Sequence, residues 1–135
     1  MKKVLFLALF LIFAVTATAG DAYKAYYAAR AEAKACEKAG DITCAVAKYL
    51  AAETAAINQD ATKSADDTVD WQTIADWQRN NAAYCLIKSQ ADGPTRDLNV
   101  LKQALAILTA REIKSAAVIP TAKKNADYCL TQIGN

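Results

Sequence analysis

Four cysteines, Cys36, Cys44, Cys85 and Cys129, are the residues of this chain best placed for chemistry, and that chemistry is oxidative cross-linking. The sequence has no histidine and no Cys-x-x-Cys pair, so a zinc site lacks both its usual partners and its usual spacing. An even number of cysteines behind an export signal makes two disulfides the default, with three pairings open. Cys36 and Cys44 stand four residues either side of Gly40. Antiparallel helices folding back at that glycine bring the two to the same height, which favours Cys36 with Cys44 and leaves Cys85 with Cys129. Loop entropy values the short bridge at about 2.6 kcal/mol and the long one at about 4 kcal/mol.

Other chemistry finds little support. Without histidine the commonest general base and metal ligand is gone. The acidic clusters, Glu32 with Glu37 and Asp66 with Asp67 and Asp70, fall where solvated charge is expected. A glycosidase-type pair needs one carboxylate in an apolar pocket, and none is identifiable. Asn58 to Asp70 lacks the alternating oxygen ligands and turn glycine of a calcium loop. It reads as a solvated connector ending in an N-cap at Asp70. No glycine-rich phosphate loop, Gly-x-Ser-x-Gly elbow or nucleic-acid module is present. The expectation is a chain without catalysis, metal or cofactor.

The elements that position these residues are helices. Asp21 to Ala39 is alanine-dominated, and alanine is the strongest helix former. Tyr23 neighbours Tyr26 and Tyr27 on its surface. The three rings form either an aromatic binding patch, since tyrosine gives contact area at low entropic cost, or the lid of the core. Gly40 stops this helix in the left-handed conformation and Asp41 caps the next. Ile42 to Ile57 carries two adjacent apolar stripes and so contacts neighbours on two sides. Trp71 to Gln90 sets Trp71, Trp77 and Tyr84 as core anchors. Asn81, between apolar neighbours, either pins the packing or faces a ligand. Ala91-Asp-Gly-Pro-Thr95 is a turn, after which Thr95 or Asp97 starts a helix expected to run to about Ser115. Leu98, Leu101, Leu105 and Leu108 give that helix the strongest amphipathic signal of the chain. A fifth helix spans Thr121 to Ile133, with Pro120 at its first turn.

The first nineteen residues read as a signal peptide: Lys2 and Lys3, an apolar run from Val4 to Val15, then Ala17-Thr-Ala19. The run is short for a membrane span, so no span is expected after cleavage. Residues 20–135 then form a single all-helical domain, located in the periplasm or secreted. Removing Lys2 and Lys3 leaves fourteen basic residues against fourteen acidic ones. A near-neutral chain has no overall basic field for nucleic acid or anionic membrane.

Two stretches read alike, Asn81-Ala-Ala-Tyr84-Cys85-Leu86 and Asn125-Ala-Asp-Tyr128-Cys129-Leu130, 44 residues apart. Such a period points to stacked hairpins. Here the sequence resembles the tetratricopeptide repeat family. Gly40-Asp41 followed by Ala45, Tyr49 and Ala52 is similar to that family's turn and second-helix pattern, and Trp77, Asn81 and Tyr84 to its first-helix pattern. The terminal proline is missing after Ile57, and the connector to Asp70 is too long for a 34-residue repeat. The fold expected is all-α, a five-helix array of antiparallel hairpins, either TPR-like or a disulfide-tied bundle. The resemblance implies an adaptor that binds a protein or peptide, with Tyr23, Tyr26, Tyr27 and Asn81 as contacts. The alternative is a secreted inhibitor or effector acting on an enzyme or host protein through a wedge such as Asn58 to Asp70.

Overall fold

A computed structural model describes residues 19–91 and 96–134. The signal peptide reading, apart from its last residue, and the turn over residues 92–95 lie outside the described residues. The rest is an all-α array: α1 (Ala19–Lys38), α2 (Ile42–Thr62), α3 (Trp71–Ala91), α4 (Leu98–Thr109) and α5 (Ile119–Gly134). Each helix packs against the next in chain order, and α3 also reaches α5. Among the described residues no helix is long and apolar enough to cross a membrane.

The first hairpin is closed three times over. Gly40 takes φ +76°; the amide of Gly40 donates to the carbonyl of Glu37 at 3.0 Å and that of Asp41 to Cys36 at 2.9 Å. This is the Schellman pattern that glycine permits. Asp41 then caps α2 by accepting from the Cys44 amide at 3.1 Å. Cys36 and Cys44 are disulfide-bonded with their Cα atoms 5.7 Å apart. Further along, Lys48 pairs with Glu32 at 2.5 Å across the two helices, and the Tyr49 hydroxyl donates to Glu37. Burial, then that bond, raises the pKa of Tyr49 above the ordinary phenol.

The core divides into three clusters along the array. Tyr26, Ala52, Ala55, Ala56, Trp71 and Ala75 fill the open end of the first hairpin. Ala33, Ala45, Tyr49, Ala82 and Cys85 fill its closed end beside Cys36. The largest cluster joins α3, α4 and α5 through Leu86, Ile87, Leu101, Leu108, Val118 and Cys129. Alanine dominates the first two because helices that approach closely leave room for little else, so many small burials replace a few large ones.

Two helix ends differ most from the sequence reading. Helix α2 continues through Asn58 to Thr62, where the Thr62 hydroxyl bonds back to the Asn58 carbonyl at 2.7 Å. Helix α4 stops at Thr109, six residues short of Ser115, despite its apolar repeat. What ends it is charge: the chain turns inward at Arg111 and delivers the amides of Lys114 and Ser115 to Asp76 at 3.0 and 2.8 Å. A continuous helix could not offer those donors.

The second expected disulfide is absent. Cys85 and Cys129 are both free thiols and both buried. Cys85 faces the closed end of the first hairpin, whereas Cys129 sits in the α3–α4–α5 cluster. Pairing Cys36 with Cys44 left Cys85 and Cys129 as the remaining couple, but the array separates these two thiols into different cores.

Candidate functional site

The aromatic residues of α1 gather at the open end of the first hairpin around Trp71, the first residue of α3. Tyr26 and Tyr23 meet the Trp71 ring edge-on, with centroids 5.5 and 5.8 Å away. Tyr27 lies 4.8 Å from Tyr23 and 4.9 Å from Tyr26. These are the offset and edge-to-face distances that aromatic pairs favour. The four rings divide into a base and a face. Trp71 and Tyr26 are 1% and 4% exposed, while Tyr23 and Tyr27 stay 45% and 48% exposed. Tyr26 is therefore corrected from contact residue to support, because its position in the helical repeat turns it inward against Ala52 and Trp71.

The connector before α3 holds this base in place. Asp67 accepts from the Trp71 indole N–H at 2.8 Å, from Gln59 at 3.2 Å and from the Val69 amide at 3.0 Å. The Val69 amide first, then the indole, holds its carboxyl below the usual carboxylate range. Asp70 caps α3 through the Thr73 hydroxyl at 2.7 Å and amide at 3.0 Å, which lowers its pKa likewise. The expected open loop from Asn58 thus shrinks to residues 63–70, several of them tied down.

Asn81 is half-buried on α3, away from the tyrosines. The asparagine that pins packing is its neighbour Asn80, buried, whose Oδ1 accepts from Asn125 of α5 at 2.9 Å. Tyr84, expected as a core anchor, is 49% exposed.

Sequence reasoning missed the most heavily buried charges. Asp76 is wholly buried on α3 and Glu53 nearly so on α2. Arg111 bridges them, with Nη1 2.6 Å from Asp76 and Nε 2.9 Å from Glu53. Arg79 makes a forked contact to Glu53, through Nε and through Nη2 at 2.6 Å, and its Nη1 donates to the Ile107 carbonyl at 2.7 Å. Asp76 also accepts from Gln72 at 3.0 Å besides the two connector amides. Two carboxylates and two guanidiniums balance, and every carboxylate oxygen is in use. The group is a tie between α2, α3 and the α4–α5 connector, with no lone pair directed at a substrate. The signal was faint: an acidic residue amid alanines on a two-faced helix, and two arginines in predicted helix interiors.

Shallow grooves also mark the surface of the described residues. One, of about 560 Å³, runs past Leu108, Ile113, Ile119 and Ala126; another, of about 340 Å³, passes Val46, Leu86 and Ile107. Among the described residues no group of histidine, cysteine or acidic side chains could hold a metal. No protein-family model, curated protein or solved structure matches the chain significantly.

Proposed function

We propose that this chain is an exported helical adaptor that binds a protein or peptide partner through the tyrosine face of its first hairpin, with no catalysis of its own. The observation carrying this reading is the pair Tyr23 and Tyr27, exposed by nearly half and stacked on the buried base of Tyr26 and Trp71. Rings already held by their neighbours lose little freedom on binding, the property that makes tyrosine common among binding hot spots. The stacking of successive hairpins and the repeat-like resemblance of the first support an adaptor by analogy alone, because function resides in a site. The Cys36–Cys44 bridge favours an oxidising compartment, periplasmic or extracellular.

The test is co-purification from native envelope or secreted extract on the immobilised, oxidised protein, beside a Tyr23→Ala/Tyr27→Ala variant. A partner held by the wild type and lost by a variant of unchanged helicity is expected. Retention of the same partners by both would sink the assignment of this face.

A further inference from the structure

We propose that the tyrosine face takes a cationic segment, a lysine- or arginine-bearing stretch of the partner that lays its side chains on Tyr23 and Tyr27 and its charge against Asp66, Asp67 and Asp70. The inference rests on the adaptor reading and adds the chemistry of what is bound. Aromatic faces attract guanidinium and ammonium groups, most strongly where carboxylates stand nearby. Here the carboxylates are built into the same edge. Asp67 is bonded to the indole at the base of the ring stack, and its negative charge is felt by the Tyr23 phenol, whose pKa is raised first by its bond to Tyr27 and in lesser part by Asp67.

The balance of charge along this edge is one-sided. Between Lys63 and Arg79 the sequence has no basic residue and four aspartates, of which Asp76 is buried and neutralised by Arg111. Lys63 is itself paired with Asp60 at 3.2 Å. The remaining cations of this end are Lys24, exposed on α1, and Arg30, half-buried near Tyr26. Val69, also exposed, adds an apolar shelf beside the acids. Behind them the buried Gln59 gives its Nε2 to Asp67 and holds that carboxylate in place. An edge with net negative charge and two half-exposed rings is complementary to a cation with a long apolar stem.

The experiment is a titration of the isotope-labelled, disulfide-intact protein, followed by amide and indole resonances. The probes are a blocked hexapeptide of alternating arginine and leucine and its glutamate counterpart, each at low and at moderate salt. The arginine peptide should shift the Trp71 indole and the amides near Tyr23, Tyr27 and Asp66 saturably, and the glutamate peptide should not. Asp66→Lys, which disturbs no bond of the fold among the described residues, should weaken binding about three- to tenfold, as should added salt. No saturable shift up to millimolar peptide, equal shifts with both peptides, or indifference to Asp66→Lys would overturn the proposal. Shifts that depend on protein concentration without peptide would place a second copy of the chain there and overturn it too. A partner captured through Tyr23 and Tyr27 but insensitive to salt and to Asp66→Lys leaves the adaptor standing and removes only its cationic ligand.

Discussion

Asp76 and Arg111, 35 residues apart in sequence, meet at 2.6 Å with the carboxylate wholly buried. That contact fixes where α4 ends and how α5 returns to α3. Removing Arg111 strands the Asp76 charge in a place that water does not reach, which costs more than the pair itself contributes. Arg111→Ala is expected to destabilise the fold by about 3–5 kcal/mol, measured by urea unfolding. Because Asp76, Arg111, Glu53 and Arg79 share partners, the Asp76→Ala/Arg111→Ala double variant should lose much less than the sum of the singles. Additive losses would mean that the four charges do not act as one unit.

The thiols offer a direct count. Peptide mapping without reduction should recover Cys36 joined to Cys44 and both Cys85 and Cys129 unpaired. Burial pushes the Cys85 thiol up to about 11 and the Cys129 thiol in the same direction. At pH 8 that leaves about one Cys85 in a thousand as thiolate, before its burial further slows attack. A thiol reagent should therefore find almost nothing in the native protein and two groups after unfolding. A Cys85–Cys129 peptide from the native protein would contradict the separation of the two cores.

The all-helical class, the five helices and the Cys36–Cys44 bridge were legible because each rests on local rules: alanine propensity, leucine spacing and symmetry about Gly40. The failures share a different origin. Tyr23, Tyr26 and Tyr27 look alike in sequence, and the approach of α2 and of Trp71, 45 residues away, buries Tyr26 while Tyr23 and Tyr27 stay half-exposed. Glu53 and Asp76 were missed because Arg111, the partner they share, comes from a connector that looked helical. Cys85 and Cys129 share a local pattern but not a neighbourhood, and cysteine pairing follows neighbourhood.

Asp67 and Asp70 predict the response to acid. Both have native pKa values below their unfolded ones, held down by bonds to Val69 and Trp71 and by Thr73. Their stabilisation is fully present above the ordinary aspartate range near pH 4 and fades as pH falls through the lower native values, since the unfolded chain takes up protons first. The melting temperature should decline below about pH 4, and Asp70→Asn should decline less over that window because it no longer titrates there. Equal slopes for wild type and variant would show that the cap at α3 contributes nothing to the acid response.

Trp71 should be the residue on which the tyrosine face depends most. Its ring supports Tyr23 and Tyr26, and its indole N–H is held by Asp67. Trp71→Phe keeps an aromatic base but leaves the Asp67 oxygen without that donor, and Trp71→Ala opens a large cavity. The expected losses are about 1–3 kcal/mol for the first and about 3–5 kcal/mol for the second, read from thermal or denaturant unfolding. In Trp71→Phe the near-ultraviolet signal of the tyrosines should change little. A collapse of that signal would mean that the hydrogen bond, not the ring, orders the face.

Gly40 separates backbone strain from packing. A Cβ added there meets nothing within 4 Å, yet the residue sits at φ +76°, a conformation that costs an ordinary residue about 1–2 kcal/mol. Gly134 also has open space but no positive φ. Gly40→Ala should therefore destabilise by about that amount while Gly134→Ala leaves stability nearly unchanged. The disulfide closes the same turn from the side-chain face, so part of the strain should be carried by the bridge: in a Cys36→Ala/Cys44→Ala background Gly40→Ala is expected to fray the end of α1, seen as lost helicity and faster amide exchange near Cys36. If exchange there is the same with and without the bridge, the Schellman turn holds the hairpin by itself and the disulfide acts only on the unfolded chain.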